Sequence, residues 1–72
     1  MNTIAVFRSR SQALGVYRYL QSKKIACITI NTPAKFHLGC GISLVFSSSY
    51  VNEVKKAVET LGSNSFVGFF AK

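Results

Sequence analysis

Two stretches of helical periodicity, each flanked by short strand-like runs, fill nearly all of this 72-residue chain. Thr3 to Phe7 is apolar and strand-like. Ser9-Arg10-Ser11-Gln12 reads as a capping box, with Ser9 as N-cap and Gln12 three residues on. Ala13, Val16, Tyr17 and Leu20 follow at helical spacing, so a helix is predicted from Arg10 to Ser22. Ile25 to Ile30 alternates and is rich in β-branched residues, which predicts a second strand. Asn31 to Gly39 is a loop opened by Thr32-Pro33. Ile42 to Phe46 is a third strand. A second helix starts in Ser47-Ser48-Ser49, sets Val51, Val54, Ala57, Val58 and Leu61 on one face, and stops at Gly62. Phe66 to Ala71 is the fourth strand. The order βαββαβ is a split βαβ: a four-stranded antiparallel sheet with both helices on one face. Right-handed crossovers give the strand order 4-1-3-2. The expectation is one α+β, ferredoxin-like domain over residues 1–72.

That order predicts which residues meet. Strand 1 ends, helix 1 begins and strand 3 begins at the same sheet edge. Cys40, just before strand 3, is therefore expected near the segment Arg8-Ser9-Arg10-Ser11. It lies between two glycines, Gly39 and Gly41, which strip neighbouring side chains away and free the backbone. The first helical turn offers free N–H groups and a partial positive charge, and Arg8, Arg10, Lys35 and His37 can add to it. Such a field lowers a thiol's pKa and would also hold an anion such as selenide, hydrosulfide or phosphate. The plainer alternative is a small residue in a tight loop, with an ordinary thiol.

Composition narrows the function classes. The chain is 49% hydrophobic and 15% charged, which suits a folded core and not a disordered segment. No apolar run approaches the ~20 residues of a membrane span. Met1-Asn2-Thr3 leads straight into a strand without a basic leader, so a cytoplasmic location is expected, and the two cysteines are expected to be free thiols. The formal charge is +7, from nine Lys/Arg against Glu53 and Glu59. The basic residues are dispersed and no RNA-binding aromatic signature accompanies them, which argues against nucleic acid.

Other chemistry finds little support. Cys27 sits inside strand 2 and reads as a packing residue. Its distance from Cys40 is no redox or metal spacing, and Cys40, His37 and Cys27 lack a fourth ligand, so neither a metal nor a cofactor is expected. His37 could act as a base toward Cys40, though no carboxylate is placed to orient it. Two isolated acids leave no pair for acid–base catalysis. No glycine-rich phosphate loop is present. Phe66, Phe69 and Phe70 read as packing rather than as a stacking platform.

Phe7-Arg8-Ser9 with Ala13-Leu14, then Thr32-Pro33, six residues, and Cys40-Gly41-Ile42, resembles the signature of a family of short bacterial Se/S carrier-like proteins. Ile25 to Ile30, Tyr50 to Leu61 and Gly68 extend the resemblance over nearly the whole chain. Two departures stand out. Relatives often carry an Arg-Glu pair and a serine run where this chain has Ala34-Lys35-Phe36-His37-Leu38-Gly39. They also often have Gly after helix 1, where this chain has Lys24.

The resemblance implies a sulfur or selenium carrier acting by transfer rather than by turnover of a free substrate. Cys40 would hold a persulfide or perselenide. Thr32 and Pro33 would fix the loop entry, Gly39 and Gly41 would leave room for a partner, and Ser9 would open the anion-holding turn. The partners would be a donor protein, of the cysteine desulfurase type, and a protein acceptor. The other open reading is a non-catalytic regulatory or assembly module that binds a small ligand or dimerises. The helices are expected to cover Ile4, Val6, Ile28, Ile30, Leu44 and Phe46. The opposite face would then hold Ala5, Phe7, Cys27, Thr29, Ser43 and Val45, with part of the phenylalanine cluster. So apolar a second face predicts a weak homodimer or a docking surface there.

Overall fold

A computed structural model describes residues 1–36 and 41–72. Its elements are β1 (Thr3–Phe7), α1 (Arg10–Ser22), β2 (Cys27–Asn31), β3 (Ile42–Phe46), α2 (Val51–Thr60) and β4 (Phe66–Ala71), with single 3-10 turns at Ala34–Phe36 and Ser48–Tyr50. The four strands form one antiparallel sheet in the order β2-β3-β1-β4. This is the order expected from right-handed crossovers, read from the other edge. No helix among the described residues is long and apolar enough to cross a membrane.

Local chemistry explains most boundaries. The Ser9 side chain accepts the Gln12 N–H at 3.3 Å and starts α1. The reciprocal half of the expected capping box is not made. Gln12 reaches instead across the molecule, donating to Asn64 Oδ1 at 3.0 Å and accepting from the Ser65 N–H at 3.0 Å and the Ser65 hydroxyl at 2.6 Å. It ties the start of α1 to the turn before β4. The helix ends in a Schellman motif: Ile25 N–H donates to Leu20 O and Lys24 N–H to Gln21 O. Lys24 takes the left-handed conformation this requires, with φ at 60°. Ile25 is spent on that closure, so β2 begins at Cys27 and not at Ile25. The serine run gives one 3-10 turn, capped by Ser47, before α2 proper.

The sheet faces correct the expected alternation. Leu44 and Phe46 face the helices as predicted, and Ser43 and Val45 the other way. In β1 and β2 the phase is reversed. Ala5, Phe7 and Cys27 join Ala13, Val16, Leu20, Val54 and Ala57 in the main core, whereas Ile4, Val6 and Val45 form a separate cluster with Ile30. Pairing decides this. Ala5 lies opposite Leu44 and Cys27 opposite Phe46, and directly paired residues share a face. Both alternating sets of β1 are apolar, so periodicity could not choose between them.

A bulge resolves the last strand. Val6 pairs with Gly68 but Phe7 pairs with Phe66, leaving Val67 as the extra residue. Phe66 and Phe69 thereby share the helix-facing side, three residues apart, with ring centroids 4.9 Å from each other. Val67 and Phe70 are exposed.

Candidate functional site

The loop entry and exit are drawn together at the edge where β1 ends. Thr32 N–H donates to Gly41 O at 3.0 Å. The Thr32 and Ser43 hydroxyls are hydrogen-bonded at 2.8 Å in a buried setting. In that low-dielectric position each satisfies the other, and losing one would orphan its partner. A Cβ on Gly41 would stand 3.1 Å from Phe7 O and 3.2 Å from Thr32 Oγ1. Glycine is needed at 41 because the Phe7 carbonyl and the Thr32 side chain crowd there. The space that its missing side chain leaves is filled by Phe7 and Thr32, and Gly41 is buried.

Thr32, Gly41 and the end of β1 are thus assembled as the topology predicts. Ser9 stands two residues beyond Phe7 and heads α1, with its hydroxyl engaged by Gln12 N–H and by Ser11 Oγ at 3.1 Å. Pro33 is half-buried at the loop entry. No acid occupies the first turn of α1, and Arg8 and Arg10 are exposed beside it. The positive end of the helix is therefore not neutralised by its own residues. Cys40 and Gly39, named from the sequence as the reactive thiol and its flanking glycine, lie outside the described residues, as does His37.

The described thiol behaves as a packing residue. Cys27 is free and buried in the main core. Burial pushes its pKa up from the ordinary 9.0, against a smaller lowering by a hydrogen bond with Gln21. A thiol held protonated in apolar surroundings is a poor nucleophile.

Ser43 was not singled out from the sequence, although one polar residue inside the apolar run Ile42 to Phe46 is a visible signal. Buried polar groups in a strand are there to be paired, and the partner is the threonine of Thr32-Pro33. Gln12 was read only as a capping residue; nothing local to it shows that Asn64 and Ser65 would be its partners.

A family model described as "Putative Se/S carrier protein-like" matches residues 2–64. No curated protein and no solved structure matches the chain.

Proposed function

The chain belongs to this Se/S carrier-like family, and on that premise we propose that it carries sulfur or selenium as a persulfide or perselenide on Cys40. The Cys40 thiolate attacks the terminal sulfur of a donor protein's persulfide. A new S–S bond forms on Cys40, the donor's S–S bond breaks, and the donor leaves as a thiolate. Charge and oxidation state balance, so no external oxidant is needed. Attack by an acceptor thiolate on the same terminal sulfur reverses the exchange.

The observation that supports this reading most is the fastening of Gly41, the residue bonded to Cys40. It is held against Phe7 O and Thr32 at the edge where α1 begins with its positive end. Among the described residues, that edge brings together a helix N-terminus, two exposed arginines, Thr32, Pro33 and Gly41. Thiolate chemistry gains from such a field. Cysteine desulfurase-type donors, protein acceptors and a cytoplasmic setting belong to the same reading.

Mass spectrometry of protein isolated without reductant tests it: one added sulfur or selenium atom is expected on the peptide containing Cys40. In native protein Cys40 should alkylate well before Cys27. Cys40→Ser should keep the fold and lose the added mass. Equal labelling rates, or added mass on Cys27 alone, would overturn the assignment.

A further inference from the structure

The end of the molecule opposite the Thr32–Gly41 edge carries a second candidate site. The C-terminal part of α1 and the start of α2 border a cleft of about 420 Å3, lined by Tyr19, Lys23, Ile25, Tyr50, Glu53 and Lys56. The volume falls within the ~300–1,000 Å3 of small-molecule sites. β1 and β3 run in opposite directions. The residues after β3 and the residues ending α1 therefore meet at the starting end of β1, a full strand length from Gly41.

The lining sorts into three chemistries. Tyr19 and Tyr50 supply aromatic surface and Ile25 supplies a nearly buried aliphatic wall. Lys23 and Lys56 supply two ammonium groups, and Lys23 Nζ already stands 5.6 Å from the Tyr19 ring centroid. A cation held at an aromatic face is placed to meet an anion on a ring that stacks there. Glu53 supplies one acceptor. The cleft has a local excess of positive charge, two ammoniums against one carboxylate. At a physiological Debye length of about 8 Å, these groups and not the chain's overall charge set the field there. Glu53 stands in the first turn of α2, and the Tyr50 and Val51 N–H groups donate to Ser47 O and Ser48 O, so the field in the cleft comes from its side chains.

We propose that this cleft binds a planar heteroaromatic anion of the nucleoside monophosphate class. The ring packs between the tyrosines and Ile25, Glu53 accepts from an exocyclic amine, and Lys23 and Lys56 hold the phosphate. None of the three chemistries suffices alone in a cleft this open. The site is independent of the thiol chemistry, since its lining includes neither cysteine nor any residue of the Thr32–Gly41 edge.

Amide chemical-shift titration of the Cys40→Ser protein with adenosine monophosphate, adenosine and inorganic phosphate tests it without involving the thiol. Saturable shifts at Tyr19, Ile25 and Tyr50 are expected with the monophosphate. Adenosine and inorganic phosphate should each bind about tenfold more weakly or worse, since each omits one part of the recognition. Lys23→Gln with Lys56→Gln should weaken the monophosphate by a similar factor, and Tyr50→Ser, at a partly exposed position outside the buried core, should do the same. No shifts at millimolar monophosphate, or shifts that inorganic phosphate reproduces equally well, would overturn the proposal.

Discussion

The two half-units of the fold solve one problem at different expense. Each sends a strand into the centre of the sheet, turns into a helix, and leaves it through a Schellman motif into an edge strand. The strands correspond closely. Phe7 closes β1 and Phe46 closes β3, both fully buried on the helix side, with Phe7 against Phe66 and Phe46 against Phe69. The helix exits differ. In the second unit Gly62 takes the left-handed position at φ 62°, with Gly62 N–H donating to Glu59 O and Ser63 N–H to Val58 O. In the first unit Lys24 takes the same conformation at φ 60°, which glycine adopts without strain and lysine does not. Leu20, fully buried, and Ile25, nearly so, close that turn with apolar contact. In the second unit half-buried Val58 stands where Leu20 does, and a buried serine, Ser63, takes the place of Ile25. Apolar closure thus holds a strained residue in the first exit, while glycine's backbone freedom serves the second, where the closing residue is polar.

Four measurements break or sharpen this contrast. The largest effect should come where the units agree: Phe7→Ala and Phe46→Ala should each lose ~3–5 kcal/mol in urea unfolding. A loss much smaller in one of them would end the correspondence of the central strands. Next, Leu20→Ala should lose ~2–5 kcal/mol, whereas Val58→Ala, at the half-buried equivalent position, should lose about 1 kcal/mol or less. Similar losses at the two sites would show that the second exit also depends on apolar closure.

The turn residues follow. Gly62→Ala should lose ~1 kcal/mol although a Cβ there meets nothing within 4 Å, because the penalty is conformational. Lys24→Gly should gain up to ~1 kcal/mol by relieving the same strain, less the entropy that glycine adds to the unfolded chain. Gly15→Ala, in the middle of α1 with open space around it, should add ~0.5–1 kcal/mol. Lys24→Gly and Gly62→Ala moving stability in the same direction would refute the account of the turns.

The smallest effect is a pH slope. The Cys27 pKa is raised by folding, so its contribution is complete below the unfolded value of 9.0 and is lost as pH climbs through the higher folded value. Stability should therefore decline above about pH 9, more steeply in the parent than in Cys27→Val. Parallel slopes would mean that Cys27 is not protected in the native state.

The element order, the helix start at Ser9, the strand order and the meeting of Gly41 with the end of β1 were all readable from residue pattern and crossover handedness. What escaped had a common physical cause. The phase of β1 depends on register with β3, because Ile4 and Ala5 are both apolar. The shared face of Phe66 and Phe69 depends on a bulge, for which Gly68 inside the strand run is a signal that fixes neither its position nor its side. The Gln12 links to Asn64 and Ser65, and the Thr32–Ser43 pair, join residues distant in sequence. Leu61 has the spacing of a buried residue, but the ten-residue α2 ends one position before it. At the candidate site the sequence suggests that Gly41 leaves room for a partner, whereas the fold sets Phe7 O and the Thr32 side chain against that space.

The placement of β4 bears on how the molecule can be made. β1 precedes the other strands in the chain, yet one of its two hydrogen-bonding edges stays empty until β4, from beyond the second helix, has been synthesised. A nascent chain that stalls after α2 would carry an open central edge bearing Ile4 and Val6, a template for pairing with other chains. Gln12 likewise waits for Asn64 and Ser65. Productive folding is therefore a late event in synthesis, and premature termination yields an aggregation-prone fragment rather than a smaller version of the domain.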